Sequence, residues 1–211
     1  MLTQAVWTSL RILAFRAGPE DFPYDPSHRL TAVCVVFGVV ANAALASQLA
    51  QAAVAAQKLP AMPSPLALSM LGVATVLAMG LFTQAALRAR RLENRFQQTF
   101  NALLATSSIL ALVLVIPVGE LRPFLPVAEE FTRKLQANPD LLNNPGNVPE
   151  FPGWAMLMSM LIPGLLVWQF ALTAFIYRRA ANTQTGGGIF IALLCLLAVT
   201  SFKALFSALT G

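Results

Sequence analysis

Residues 100–118 read FNALLATSSILALVLVIPV, nineteen positions without a charge. At 1.5 Å of rise per residue such a run covers about 28 Å as a helix, close to the roughly 30 Å of hydrocarbon in a bilayer. Runs of the same kind lie on either side, at 31–56, 65–87, 154–177 and 187–209. None of the five contains Asp or Glu, and Lys203 is the only cation in any of them. The chain as a whole is 57% hydrophobic and 11% charged, where a soluble domain carries about 25% charged residues. In hydrocarbon every backbone N–H and C=O must be paired within the protein, which for runs this long means helices. A β-barrel would show short alternating segments, and these runs do not alternate. The expected fold is an all-α membrane protein with about five transmembrane helices in one domain, residues 30–209.

The connectors carry the orientation. Nine of the fourteen Lys and Arg precede the first run or lie after the second and the fourth: Arg11, Arg16 and Arg29, then Arg88, Arg90, Arg91 and Arg95, then Arg178 and Arg179. The other five are Lys58, Arg122, Arg133, Lys134 and Lys203. Short loops rich in Lys and Arg stay in the cytoplasm. The N-terminus is therefore expected inside and Gly211 outside, in a bacterial inner membrane. The net charge of +5 does not form an aromatic-laced basic surface, so no nucleic-acid partner is expected. A secretory signal peptide is a poor fit, because about thirty mixed residues precede an apolar run that is too long for one.

Residues 1–29 are expected to form an amphipathic helix followed by a proline-rich link. On a helical wheel Leu2, Val6, Leu10 and Leu13 share a face, opposite Gln4, Thr8 and Arg11. That pattern fits a helix lying in the cytoplasmic interface, although Ile12 and Phe15 interrupt the polar side. A helix docked on the bundle ends is the alternative. The link, AGPEDFPYDPSHR at 17–29, contains Pro19, Pro23 and Pro26, which forbid a continuous helix. Phe22 and Tyr24 would seat it at headgroup level, and its varied chemistry marks either a functional loop or a rigid connector. Residues 88–98 read as a helical extension of a neighbouring span, with Glu93 one turn from Arg90. In the loop 119–153, Pro126 opens a short helix in which Glu129 and Glu130 precede Arg133 and Lys134 by four residues. A turn-rich stretch follows it.

The chemistry is sparse. One His and two Cys exclude a Cys/His metal cluster and a disulfide framework, and His28 alone cannot ligate a bis-histidine haem. Cys34 and Cys195 read as small apolar residues. No nucleophile–base pair, phosphate loop or metal spacing is visible, so neither catalysis nor a cofactor is expected. Lys203 reaches outward to the interface or pairs with Glu120 across the bundle. Polar residues in the runs, including Asn42, Gln48, Gln51, Asn101, Ser108 and Thr173, serve hydrogen bonds between helices or, less commonly, line a path for a solute. The basic loop at Arg88, Arg90, Arg91 and Arg95 is expected to face anionic lipid.

Five spans, a proline-containing approach to the first helix, an inside N-terminus and an outside C-terminus resemble the YIP family, membrane proteins named for interaction with Ypt/Rab GTPases. The resemblance is one of topology over residues 30–209 and carries no site residues. The peptide AGPEDFPYDP at 17–26 is similar to one in uncharacterised proteobacterial inner-membrane proteins. The resemblance implies a small membrane scaffold or adaptor whose partners are membrane lipids and either a second protein or further copies of itself. The alternative expectation is a permease-like subunit of a transport complex.

Overall fold

A computed structural model of the chain describes residues 1–138 and 149–210, with side chains described as far as residue 206. Among the described residues all regular structure is helical. The N-terminal helix α1 spans Leu2–Leu13, and five long helices follow: α2 Arg29–Ala55, α3 Pro65–Arg88, α4 Phe96–Leu121, α6 Gly153–Ala180 and α7 Thr185–Thr210. All five are long and apolar enough to cross a membrane. Between α4 and α6 lies a shorter helix, α5, at Leu125–Ala137. Part of the turn-rich stretch expected after α5 lies outside the described residues.

Local chemistry sets the ends. Ser64 accepts a hydrogen bond from the Ala67 N–H at 3.2 Å, and Pro65 opens α3 without an N–H to satisfy. Helices α1, α2, α3 and α6 each close in the same way. A residue one or two positions past the cap turns left-handed, and the next N–H reaches back five positions to a helix carbonyl: Arg16 to Arg11, Lys58 to Ala53, Leu92 to Leu87 and Thr183 to Arg178. The left-handed residues are Phe15, Gln57, Arg91 and Asn182, none of them glycine. Arg91 accordingly breaks the helix expected through 88–98, which instead becomes a turn, the short 3-10 segment Glu93–Arg95 and then α4.

Helix α4 is the hub. Helices α2, α3 and α6 pack on it, α1 lies against it, and α7 closes the arc by packing on α3 and α6. Of the most apolar stretch of α4, 67% is buried, against 11% for α6 and for α7. Ala102, Leu103, Leu104, Leu110, Ala111 and Leu114 of α4 are all buried. Small residues let the backbones approach. A Cβ on Gly72 would meet the Val39 carbonyl oxygen at 2.5 Å, so α3 and α2 touch backbone to backbone there. A Cβ on Gly188 would meet the Ala174 carbonyl at 2.6 Å, joining α7 to α6.

Helix α1 is docked on the bundle and leaves part of its apolar face exposed. Ala5, Thr8, Ser9 and Ile12 are buried against the bundle, while Leu2, Val6, Trp7 and Leu10 stay exposed. The residues that interrupt the polar face are its anchors. Ile12 is fully buried, and the Phe15 ring lies 5.4 Å from Trp168 and 5.3 Å from Phe175 of α6.

At the opposite end, Phe124 stacks edge-on with Trp154 at 5.3 Å, and Lys58 pairs with Glu129 of α5. Glu130 pairs with Lys134 at 2.8 Å, one helical turn on, as its spacing implies. The ion pairs within 4.0 Å among the described residues are these two and Arg179–Glu20. Glu120 with Lys203, and Glu93 with Arg90, are not among them. Helix α7 carries Lys203 along α3 and α6, whereas Glu120 lies near the end of α4.

Substituting Gly72 by alanine forces α2 and α3 apart and costs about 1–3 kcal/mol. Gly164→Ala, where an added Cβ meets nothing within 4 Å, leaves stability unchanged or raises it by about 0.5–1 kcal/mol. Unfolding midpoints of the two variants in mild detergent check both signs.

Candidate functional site

The densest polar chemistry lies at the end of the bundle where the link 17–29 meets α2, α4 and α6. Gly18 donates its N–H to Asp21 Oδ2 at 2.8 Å across the short 3-10 turn Pro19–Asp21. Asp25 then organises the approach to α2. Its Oδ1 accepts from the Ser27 N–H at 2.9 Å and the Ser27 hydroxyl at 2.6 Å, and its Oδ2 accepts from the Leu30 N–H at 2.8 Å. This carboxylate does the work of a helix cap while His28, left-handed with φ 57°, turns the chain into α2. The hydrogen bonds from Ser27 and Leu30 hold the Asp25 carboxyl below its usual range.

Two adjacent residues of α4 hold the link from below. Gln98 Nε2 donates to the carbonyls of Phe22 at 2.9 Å and Glu20 at 3.2 Å. Gln97 Nε2 donates to the Asp25 carbonyl and to Thr31 Oγ1 at 3.2 Å, and Asn101 Nδ2 reaches the same hydroxyl at 3.1 Å. At roughly 0.6 kcal/mol for a bond of this kind in a membrane, these contacts together fix the link more than any one of them does. Phe22, expected at headgroup level, is instead buried to 1% exposure, while Tyr24 remains 59% exposed. The aromatic ring is a plug in the bundle, because the Gln98 bonds turn that stretch of backbone inward.

The basic residues divide. Arg88, Arg90 and Arg91 are exposed. Arg95 turns inward, and its Nη1 donates to the α6 carbonyls of Arg179 at 3.4 Å and Ala180 at 3.3 Å and to Asn182 Oδ1 at 3.0 Å. It caps the negative end of α6 from another helix. Arg179 in turn donates its Nε to Glu20 Oε1 at 2.7 Å. Both partners are 44% exposed, so this ion pair contributes at most about 1 kcal/mol. The sequence signal for this knot was the Gln97–Gln98 pair at the mouth of an apolar run, facing a link rich in proline and acid.

Farther along, Asn42 donates to the Gly38 carbonyl of its own helix at 2.9 Å, and Arg122, just past α4, donates to Gln51 of α2. The span hydroxyls bond mainly to their own helix: Thr75 to Leu71, Thr106 to Ala102, Thr173 to Gln169 and Thr200 to Leu196. Thr83 also meets the Tyr177 hydroxyl at 2.8 Å, and that hydroxyl donates to Cys195 Sγ at 3.4 Å. Cys34 and Cys195 are buried free thiols. Gln97 Oε1, Asn101 Oδ1 and Ser108 Oγ are buried without a partner among the described residues. No group of three His, Cys, Asp or Glu among the described residues could hold a metal.

Comparison with known protein families, with curated proteins and with solved structures finds no match to this chain.

Asp25→Ala removes the acceptor for three donors and lowers the unfolding midpoint more than Asp25→Asn, which keeps one oxygen. Because the folded carboxyl titrates below its unfolded value, the stability it contributes is complete above the unfolded pKa of about 3.9 and is lost as pH falls through the folded value. Midpoints followed from pH 7 down to pH 3 should therefore fall more steeply for the native chain than for Asp25→Asn.

Proposed function

We propose that this chain is a non-enzymatic multi-pass protein of a bacterial inner membrane that works by association, as a scaffold or adaptor of the kind its YIP-like topology implies. Its N-terminus lies in the cytoplasm and its C-terminus outside. Helix α1 lies along the cytoplasmic side with Leu2, Val6, Trp7 and Leu10 toward lipid.

The observation that carries the proposal is where the polar groups spend their hydrogen bonds. Gln97, Gln98, Asn101 and Arg95 are engaged in joining helices and link to one another. The hydroxyls in the spans, the buried and unpartnered Ser108 apart, bond within their own helices or to a neighbouring side chain. Side chains committed in this way hold a structure and are poorly placed to pass a solute along. The faces of α6 and α7 that the bundle leaves uncovered are apolar, with Leu166, Val167, Phe190, Leu196 and Leu197 all exposed. Such faces meet lipid or the helices of a partner. The basic connectors and the large exposed surface of α5 are the contact regions available outside the hydrocarbon.

Two measurements test this. A reporter active only outside the cytoplasm should report at Gly211 and stay silent when inserted between Arg88 and Arg95; the reverse pattern would refute the orientation. The protein purified in mild detergent should come away as a homo-oligomer or with a non-transporting membrane partner. Recovery of an ATPase or a second permease with it would replace the scaffold by the permease-like subunit.

A further inference from the structure

Two clefts meet at Arg178. The first, about 400 Å³, is lined by Glu20, Arg95, Arg178, Arg179, Asn182 and Thr183. The second, about 290 Å³, is an almost wholly apolar groove between α6 and α7, with Val167, Phe170, Ala171, Phe175 and Ile189 among its walls and Arg178 at its mouth. The polar cleft is strongly positive. Glu20 is its only carboxylate and is already engaged by Arg179. Neither Arg95 nor Arg178 has a carboxylate within 4.0 Å among the described residues. The Arg178 guanidinium is held at the junction by two weak contacts, 5.5 Å from the centre of the Phe175 ring and 3.4 Å from Thr185 Oγ1. Both leave most of its donors free.

The dimensions narrow the occupant. From Arg178 to Val167 is eleven residues of α6, about 16 Å along the axis, which is half of a roughly 30 Å hydrocarbon core. A charged head at one end and an apolar trough one leaflet deep match a lipid of that leaflet. A soluble anion would use only the first cleft, and an apolar helix only the second.

We propose that this junction binds one anionic glycerophospholipid, with its phosphate held by Arg178 and flanked by Arg95, and one acyl chain lying along the groove between α6 and α7. The site rests on α6 and α7 being membrane spans and is independent of the scaffold role. Its test reads lipid on the isolated protein, so the absence of a protein partner leaves the result intact.

The protein in mild detergent is titrated with phosphatidylglycerol, phosphatidylcholine or inorganic phosphate, and retained lipid is counted by native mass spectrometry. One phosphatidylglycerol should be retained in preference to phosphatidylcholine, and inorganic phosphate should not displace it. Arg178→Gln should weaken retention by about tenfold or more, as loss of a charge-assisted contact does. Ala171→Trp, which fills the trough without touching a charge, should also weaken it. Arg88→Gln, on the same end but outside both clefts, should change it by less than about threefold. Equal losses for Arg88→Gln and Arg178→Gln would overturn the site in favour of diffuse surface charge. Full retention in Ala171→Trp, displacement by phosphate, or equal binding of the two lipids would overturn it as well. Should Arg178→Gln fail to fold, the Ala171→Trp comparison and the lipid preference of the native chain decide the question.

Discussion

A peptide group inside hydrocarbon has no water to bond, so each one must find its partner within the chain. Nearly every feature of this protein answers that demand. The long helices satisfy their own interiors except where Pro117 in α4 and Pro163 in α6 offer no N–H. Their ends are closed by turns at Phe15, Gln57, Arg91 and Asn182, each of which returns an N–H to a carbonyl of the last turn. Where a helix end still presents carbonyls, a side chain from elsewhere supplies the donor, as Arg95 does for α6. The link 17–29 cannot form a continuous helix, because its prolines forbid it. Gln97 and Gln98 therefore provide, from α4, the bonds that its backbone does not make for itself.

The same demand explains why α4 is central. It carries the amides that reach the link, and its middle is built of alanine and leucine that neighbours cover closely. The approach of α2 to α3 at Gly72 and of α7 to α6 at Gly188 lets backbones touch on the periphery, while Phe100, Leu103 and Leu104 of the hub fill the centre. Association of such helices owes little to the hydrophobic effect, since lipid tails are as apolar as the residues they would replace. Close contact and hydrogen bonds between named residues take its place, and the hydrogen bonds between elements are densest at the end of the bundle that carries α1.

The span number and positions were legible in the sequence because length and lack of charge are sufficient for them. The apolar runs at 31–56 and 65–87 match α2 and α3 within two residues, and Ser64–Pro65 marks the start of α3 by its capping chemistry. What the sequence concealed depends on contacts far apart in the chain. Nothing local distinguishes Phe22, which is buried, from Tyr24, which is exposed; the difference comes from Gln98, seventy-six residues away. Ile12 and Phe15 looked like defects in an amphipathic face because the wheel has one apolar side, whereas α1 uses two. By sequence Arg95 belongs with Arg88, Arg90 and Arg91 to one basic loop, yet of the four only Arg95 turns inward. A left-handed arginine at position 91 has no sequence signature, and it separates α3 from α4.

The contact between Glu20 and Arg179 joins residues 159 positions apart, and the Phe15 ring leans on α6 as well. A ribosome working at about 5–20 residues per second makes the second partner roughly eight to thirty seconds after the first. Through that interval the earliest-made helix can rest on α4, but the link behind it is still short of its last contacts. Those form only once α6 exists, so a segment synthesised among the first is among the last to be finished.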